Sequence, residues 1–484
     1  MRAFKQAQPV ELDIVDFSKK GNGKGVLKRE DKTDLSIEVP FSIPGDRVKA
    51  SVLFKKRMKK QQGKLEEVIK AAPVRISAKC AHFATCGGCR WQQMGYAEQL
   101  RLKEEKIRAL FSAILTPDVQ FFPIIPCDDP WQYRNKMEFS FSTDLSQNKY
   151  LGLIMDSSRG KVFNLTECHL TNSWFVDALK VTRNWWESSK LDAYHHYRNT
   201  GSLRTLTLRE GQRTGDRMVI LTVSGNPDYA LHKSDLDAFV AGLRASIELD
   251  RPECRLSIFL RIHQIAKGMA SQFYEMVLYG PDQIREKLYI QSQSEEQPVP
   301  LEFNISPSAF FQPNTRQAER LYSLALQLSS ISTPITVYDL YCGTGTLSIC
   351  LSKFAKTVVG VEICPEAVLD ARSNAAKNGC SNVHFLCGAV HEQLTKIIEE
   401  NLFPLPDLVV VDPPRAGLDP HALQHLIKLS PKKILYVSCN PLTQVDNISN
   451  LISQGYRLEA MQPVDQFPHT IHIENIAVLT KDEN

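Results

Sequence analysis

Short runs that alternate hydrophobic and polar residues fill the first 70 positions. The runs are VELDIVDF, KGVLKRE, LSIEVPFS, RVKASVLFKK and KLEEVIK, and turn signals such as GNGKG and IPGD separate them. A period of two is typical of half-buried β-strands. Five short strands at this spacing predict a small β-barrel, followed by a linker at 71–79.

A helix and a mixed region come next. Apolar positions three and four apart at 92–114 predict an amphipathic helix. From 121 to 300, six strand-like runs and two helix-period stretches, at 172–189 and 233–248, predict an α+β domain. The polar segment QSQSEEQPVP at 291–300 suggests where this domain ends.

Strands and helices alternate regularly from residue 331. Apolar runs such as TVYDLYCG, TVVGVEI, DLVVVDPPR and KKILYVSCNP end in Gly, Asp or Pro, and a helix-period stretch follows each. Such runs are typical of parallel strands that are buried on both faces. The pattern therefore predicts a doubly wound α/β sheet.

Composition restricts the class of protein. The chain has 484 residues, of which 43% are hydrophobic and 23% charged, and this excludes disordered, collagen-like and coiled-coil classes. No apolar run reaches about 18 residues, and the first residues lack the apolar segment of a secretory signal. We therefore expect a cytoplasmic protein with no membrane span and about three domains, at 1–70, 71–300 and 301–484.

Positive charge is concentrated in the first domain. Residues 1–70 hold 17 Lys and Arg against 10 Asp and Glu, including KKRMKK at 55–60, although the net charge of the whole chain is only +4. A solvated face explains such a block. The sharper interpretation is a module that binds nucleic-acid phosphates, because clustered cations release counterions from nucleic acid.

Three of the twelve cysteines lie close together in the sequence. Cys80, Cys86 and Cys89 fall within ten residues, whereas the other nine are scattered. In a reducing compartment such a group points to a metal site rather than to disulfides. The spacing and the softness of the sulfur ligands allow either zinc or an iron–sulfur cluster.

A nucleoside site is predicted at the first strand of the regular region. Gly343 and Gly345 follow that strand in DLYCGTG, and Glu362 ends the next strand, where a carboxylate can accept both ribose hydroxyls. The turn has two glycines rather than GxGxxG. This favours the single nucleoside of S-adenosylmethionine over a dinucleotide.

Candidate catalytic residues end the later strands. Asp412 begins DPPR after the fourth strand, and enzymes that methylate exocyclic amines carry an aromatic residue where this chain has Arg415. Cys439 in SCNP ends the fifth strand, where its thiol can face a ligand in the cleft. Glu474 opens the last strand, so it should lie near Cys439 if that strand runs antiparallel beside the fifth.

These motifs together resemble the RNA uracil-5-methyltransferase family. The resemblance rests on FFQPN at 310–314, DLYCGTGTLS at 339–348, VDPPRAGL at 411–418, YVSCNP at 436–441 and DQFPHTIHIE at 465–474. The cysteine segment resembles the iron–sulfur segment of members that act on ribosomal RNA. The first 70 residues resemble the OB-like TRAM domain of those members.

The resemblance implies a function for individual residues. Cys439 would be the nucleophile and Glu474 the base. The residues expected around S-adenosylmethionine are Gln312, Tyr341, Glu362 and Asp412. A [4Fe–4S] cluster would be held by Cys80, Cys86, Cys89 and, as the best match for the fourth ligand, Cys168.

The resemblance also implies an architecture and a partner. It implies a TRAM barrel, a central iron–sulfur domain and a C-terminal Rossmann-like methyltransferase domain, on which a helix near 96–120 packs. The expected partner is RNA, preferably 23S ribosomal RNA, and the expected state is a monomer. Ala389 departs from the pattern, because some members have an Asn there that contacts the cofactor.

Three other functions remain open at this point. A tRNA T-loop uridine is the alternative substrate within the same family. A cytosine-5 methyltransferase would also use a cysteine, but the HxE and SCNP contexts disfavour it. A non-catalytic iron–sulfur RNA-binding protein would not need Cys439, Glu474 and Glu362 intact.

Overall fold

The computed structural model describes residues 7–29, 33–54, 60–156, 158, 160–247, 249, 251–265, 271–291, 296–329 and 335–482. Residues 55–59 of the basic run at 55–60 lie outside these described residues. Within the described ranges, no helix is long and apolar enough to cross a membrane.

The N-terminal strands form a closed barrel, as the alternating pattern predicted. The strands are β1 (Gln8–Phe17), β2 (Gly23–Leu27), β3 (Leu35–Val39), β4 (Arg47–Val52) and β5 (Lys60–Lys70). Their order around the barrel is β1-β2-β3-β5-β4. Leu12, Ile14, Ile37, Val39 and Val48 fill the interior, and a five-stranded barrel of this kind fits an OB-like domain.

The first long helix is shorter than the range 96–120. Helix α1 (Tyr96–Phe111) ends before Pro117, and Gln120–Phe121 form the short strand β6. Pro117 disfavours the helical conformation at Thr116, so a helix that continues to residue 120 is not favoured, and the helix already ends at Phe111. Ile107 and Phe111 are fully buried against the C-terminal sheet.

A six-stranded sheet forms the centre of the chain. Its elements are β7 (Lys136–Thr143), β8 (Lys149–Gly152), α2 (Trp174–Ser188), β9 (Leu203–Glu210), β10 (Arg217–Ser224), α3 (Lys233–Ser246), β11 (Leu256–Gln264) and β12 (Gln272–Tyr279). The strand order is β12-β11-β10-β9-β7-β8. Helices α2 and α3 cover one face, whereas Met218, Ile220 and Phe259 on the other face join the core of the C-terminal region.

The domain boundary expected at residue 300 falls inside a strand. Strand β13 (Ile284–Ile290) pairs antiparallel with β14 (Val299–Ile305), so the chain forms a hairpin across the polar segment. Leu288 and Phe303 of this hairpin pack in the core of the C-terminal region. The polar segment therefore connects two paired strands. The hairpin that packs on the C-terminal sheet begins at Ile284, before the expected boundary.

The C-terminal region is the predicted α/β sheet. Its helices are α4 (Thr315–Ser329), α5 (Thr346–Ser352), α6 (Pro365–Lys377), α7 (Val390–Glu400), α8 (Pro420–Leu429) and α9 (Pro441–Ser453). Its strands are β15 (Thr336–Leu340), β16 (Thr357–Glu362), β17 (Val383–Cys387), β18 (Leu408–Val411), β19 (Lys433–Ser438), β20 (Tyr456–Val464) and β21 (Glu474–Lys481).

The strand order in this sheet determines where a ligand binds. The order is β17-β16-β15-β18-β19-β21-β20-β6. The order reverses between β15 and β18, and ligands of open α/β sheets bind at such a switch point, beyond the carboxyl ends of the strands. Strand β21 runs antiparallel to β19, as expected for the last strand.

Residues 465–473, which connect β20 to β21, bond to helix α1 and to the cysteine segment. Lys103 of α1 donates to Asp465 at 2.6 Å and to the carbonyl of Phe467, and the side chains of Lys103 and Asp465 are both fully buried. The backbone N–H groups of Arg90 and Trp91, in the cysteine segment, donate to the carbonyl of His469. We call residues 465–473 the β20–β21 connection.

The buried ion pair predicts a stability test. Lys103→Met leaves the Asp465 carboxylate buried without its cation, which costs about 3–5 kcal/mol and lowers the unfolding midpoint by roughly 3–5 °C. Arg101→Met removes an exposed cation of the same helix and should cost less than about 1 kcal/mol. Thermal unfolding of both variants checks this. Equal shifts of the unfolding midpoint would show that the buried pair stabilises the fold no more than an exposed one.

Candidate active site

The turn after β15 places backbone and carboxylate groups around an open space. Glu362 accepts hydrogen bonds from the N–H groups of Gly343 at 3.0 Å and Cys364 at 2.9 Å. Tyr341 has a positive φ of 65°, and its hydroxyl donates to Asp419. The carboxylate of Glu362 is thus held at the carboxyl end of β16, where it can still accept from a ligand.

The two glycines of the turn serve different purposes. A Cβ at Gly345 would lie 2.6 Å from Phe385, so the packing of the protein itself requires glycine there. A Cβ at Gly343 would meet no atom within 4 Å. The space above Gly343 is therefore open, which is what a ligand that approaches the backbone closely requires.

Two carboxyl groups lie next to this turn, the buried Asp339 and the partly buried Asp412. Burial raises the pKa of Asp339 to about 7, although Ser348 donates to this carboxylate at 2.5 Å. Burial also raises the pKa of Asp412 to about 7, and the neighbouring charge of Asp339 adds to the shift. Carboxyl groups with raised pKa values at the switch point of a sheet are typical of a functional site.

The FFQPN segment lies on the other side of the space. Thr344 donates to the carbonyl of Phe310, whose ring is 65% exposed. The buried Gln312 accepts from Gln466 of the β20–β21 connection at 3.4 Å.

Ala389, the position that departs from the family pattern, immediately precedes helix α7 beyond the carboxyl end of β17. The side chain of Gln393, one turn later, folds back and donates to the carbonyl of Cys387.

Strand pairing places Cys439 beside Glu474. In the antiparallel pair β19–β21, Ser438 lies opposite Asn475, so the next residue on β19 faces the preceding residue on β21. The proximity expected from the sequence is therefore confirmed. Glu474 is only 3% exposed, and Cys439 is half-buried.

The electrostatics of this pair involve a third residue. Burial raises the pKa of the Cys439 thiol to about 11, with further contributions from Glu474 and Asp412. Burial raises the pKa of Glu474 well above its usual range, and Asp412 adds to this shift. Arg415 opposes both shifts, through its charge and through a hydrogen bond to the Cys439 sulfur. The sequence marks Arg415 only by its place in DPPR, and nothing in that motif alone indicates its contact with Cys439.

The cysteine segment is folded against the loop that carries Cys168. The N–H of Ala81 donates to Glu167, and the N–H of Thr166 donates to His82. Burial is the largest cause of raised pKa values for Cys80, Cys86 and Cys89, and Cys168 raises all three further. The four thiols are thus neighbours, but in the described residues no group of three or more metal-binding side chains is close enough to hold an ion as placed.

The raised thiol pKa predicts how Cys439 reacts without substrate. Because the pKa lies near 11, alkylation by iodoacetamide should speed up about tenfold between about pH 8 and pH 9, as the thiolate fraction grows. Arg415→Gln removes a cation that favours the thiolate, so its alkylation should be several-fold slower at each pH. Peptide mass spectrometry resolves Cys439 from the other cysteines, and a rate independent of pH would show that the thiol is already ionised.

Comparisons with known proteins agree with this geometry. A model of the tRNA (uracil-5-)-methyltransferase family matches residues 260–482. An uncharacterized RNA methyltransferase of Protochlamydia amoebophila is 55% identical over 92% of this chain and all of its own length. One of Caldanaerobacter subterraneus is 33% identical over 98% of both chains.

A solved structure also resembles nearly the whole molecule. It is the Pyrococcus abyssi tRNA (uracil-54, C5)-methyltransferase in complex with S-adenosyl-L-homocysteine, which is 25% identical, with a TM-score of 0.71. The similarity covers 97% of this chain and 100% of that one. Full-length relatives, the family model and the fold agree, and the chain belongs to the RNA uracil-5-methyltransferase family.

Proposed function

We propose that this protein transfers the methyl group of S-adenosylmethionine to C5 of a uridine in RNA, with Cys439 as nucleophile and Glu474 as base. The observation that carries the proposal is the pairing of β19 with β21, which puts a thiol and a buried carboxyl side by side at the ligand-binding edge. Neither residue alone would specify this reaction.

Uracil C5 needs activation before it can accept a methyl group. The Cys439 thiolate adds to C6, and the electron pair of the C5–C6 bond makes C5 an enolate carbon. C5 then attacks the methyl carbon, and the bond from that carbon to the sulfonium breaks. Arg415 supports the first step, because its cation and its hydrogen bond favour the thiolate of Cys439.

Release of the product needs a base. Glu474 takes the proton from C5, the C5–C6 double bond forms again, and the bond between C6 and the sulfur of Cys439 breaks. The raised pKa of Glu474 makes its carboxylate a strong proton acceptor once ionised. The buried site cannot reach a base stacked inside a duplex, so the target uridine is unpaired or flipped out.

The cofactor residues of the proposal surround the open space at Gly343. Glu362 accepts from the ribose hydroxyls, while Gln312, Tyr341 and Asp412 line the remaining sides. The two N–H groups that fix the Glu362 carboxylate support this assignment, as does the empty space above Gly343. Ala389 lacks an amide, so no contact is assigned to it.

Ribosomal RNA, specifically 23S, is the proposed substrate, because the cysteine segment and the barrel accompany the ribosomal members in the family resemblance. Transfer RNA is the second candidate, since the Pyrococcus abyssi relative is a tRNA (uracil-54, C5)-methyltransferase. Action as a monomer in the cytoplasm stays a prediction.

The cysteine segment fits an iron–sulfur cluster by the chemistry of its donors. Cys80, Cys86, Cys89 and Cys168 supply four neighbouring sulfurs, and the N–H of Gly88 donates to the Cys86 sulfur at 3.3 Å. Hydrogen bonds to sulfur are typical of such sites. We propose these four residues as ligands of a [4Fe–4S] cluster. The iron ions of the cluster would offset the mutual repulsion of the four thiolates.

The cluster proposal predicts a colour and a metal content. Protein purified without oxygen should be brown and carry about four irons per chain, and Cys168→Ser should lose most of this iron. Cys127→Ser is the control, since Cys127 is buried away from the segment, next to Asn314. Colourless protein with one zinc would contradict the proposal.

The two catalytic residues should fail in different ways. Cys439→Ala removes the group that activates C5, so neither a covalent adduct nor a product should form. Glu474→Gln still permits addition and methyl transfer but removes the base, so a protein–RNA adduct that already carries the methyl group should accumulate. Labelled RNA and cofactor on a denaturing gel reveal such an adduct as a slow band that survives SDS.

The partly exposed Glu459 on β20 provides the matched control, and Glu459→Gln should turn over normally. Normal turnover by Glu474→Gln, or methylation by Cys439→Ala, would show that the roles are assigned wrongly.

A further inference from the structure

Three cations near the active site lack carboxylate partners. Within the described residues, Lys106, Arg134 and Arg415 take part in no ion pair, and Nε of Arg134 is buried without a hydrogen-bond partner. Other cations of α1 differ from Lys106, because Arg108 pairs with Glu104 and Lys103 pairs with Asp465. No carboxylate therefore pairs with Lys106 or Arg134 in the described residues, whereas the charge of Arg415 acts on Glu474 and Cys439.

The three cations come from distant parts of the chain but converge on one place. Lys106 lies one turn after Lys103, on the same face of α1, and Lys103 bonds to the β20–β21 connection. Arg134 follows Tyr133, whose hydroxyl donates to the carbonyl of Pro468 in the same connection at 3.1 Å. Lys106 and Arg134 thus each lie near a residue in sequence that bonds to residues 465–473.

Arg415 completes the group from the catalytic side. Its backbone carbonyl accepts from Asn440 at 2.7 Å, next to Cys439. His472, two residues before Glu474, lies among all of these charges: burial lowers its pKa to about 4, and Arg415, Lys103, Lys106 and Arg134 lower it further. His472 is therefore neutral, and the group keeps its positive charge at the entrance to the site.

This arrangement costs stability unless an anion binds there. Lys106 is partly buried, and burial, followed by the charge of Lys103, lowers its pKa. Besides burial, only the charge of Lys103 acts on Lys106, and the largest charge effects on His472 come from cations. Unpaired cations that are partly withdrawn from water are unfavourable, and a bound anion would restore the balance.

We propose that Lys106 and Arg134 bind the backbone phosphate next to the flipped uridine. The inference rests on the proposed function, since it names the part of the substrate that meets this surface. Arg134 can grip two phosphate oxygens with its planar guanidinium, and Lys106 adds a point charge. Arg415 is not assigned to the phosphate, because it bonds to the sulfur of Cys439.

The salt dependence of RNA binding tests this site. The wild-type 484-residue protein, purified with any cluster that it binds, is compared with Lys106→Gln, Arg134→Gln and the double variant. The probe is an unpaired oligoadenylate with a single uridine, and its Kd is measured from about 50 to 300 mM KCl. Loss of one phosphate contact should flatten the log–log slope by about 0.7, so the double variant should lose about 0.7 in slope and bind several-fold more weakly at about 100 mM KCl, while each single variant should lose part of this.

A matched control separates this site from general charge. Lys428→Gln removes a cation from the last turn of α8, which lies at the edge of the sheet where the strands begin, away from the active site. Its slope should equal that of the wild type. Unchanged affinity of all variants for S-adenosylmethionine shows that they are folded, and a double variant with the wild-type slope overturns the proposal.

A modified probe locates the contact, and a parallel assay separates the two proposals. A neutral methylphosphonate beside the uridine should weaken binding by the wild type but not by the double variant, and equal weakening of both would overturn the assignment. Methylation of bulk RNA by the wild type is measured alongside. If the wild type methylates RNA but the slopes do not differ, only the phosphate site fails. If the slopes differ but no RNA is methylated, the proposed function fails and the anion site stands.

Discussion

The antiparallel pairing of β21 with β19 is the constraint on which the site depends. Strand β19 ends at Ser438, and the helix that follows begins at Pro441, so Cys439 stands just beyond a buried strand. Because β21 runs the opposite way, Glu474 begins its strand where β19 ends. A parallel last strand would start at the far edge of the sheet and leave the carboxyl a whole strand length from the thiol.

The β20–β21 connection extends this constraint to the rest of the molecule. Helix α1 reaches it through Lys103, the cysteine segment through Arg90 and Trp91, and the FFQPN segment through Gln312. The barrel also touches it, since a Cβ on Gly21 would lie 2.2 Å from a methyl group of Ile471. The segment that leads directly into Glu474 is therefore fixed by distant parts of the chain: Gln312 is 154 residues from Gln466, and Lys103 is 362 residues from Asp465.

The sequence predicts those features that local pattern or topology decides. The barrel strands, the α/β order and the meeting of Cys439 with Glu474 follow from periodicity and from the direction of strands. The hairpin of β13 and β14 is missed. The residues between Ile290 and Val299 are polar and resemble a linker, although the segments on both sides alternate hydrophobic and polar residues. The range 96–120 for the first helix overlooks Pro117.

Other features have no local signal. A lysine on an amphipathic helix is usually exposed, so nothing in α1 indicates that Lys103 is completely buried against Asp465. The difference between Gly343 and Gly345 depends on Phe385, which approaches only one of them. The contact of Arg415 with the Cys439 sulfur depends on the loop after β18 folding over the end of β19. Such contacts arise from packing between distant segments, which periodicity does not encode.

The central claim is that the sulfur of Cys439 bonds to the uracil while the methyl group is transferred. RNA that contains 5-fluorouridine tests it directly, because fluorine at C5 cannot leave as a proton does and the enzyme cannot complete elimination. After incubation with S-adenosylmethionine, nuclease and protease digestion, mass spectrometry should find a methylated 5-fluorouridine attached to the peptide that contains Cys439. Attachment to an exposed thiol such as Cys364 or Cys387, or methylation of RNA with no adduct at all, would contradict the account.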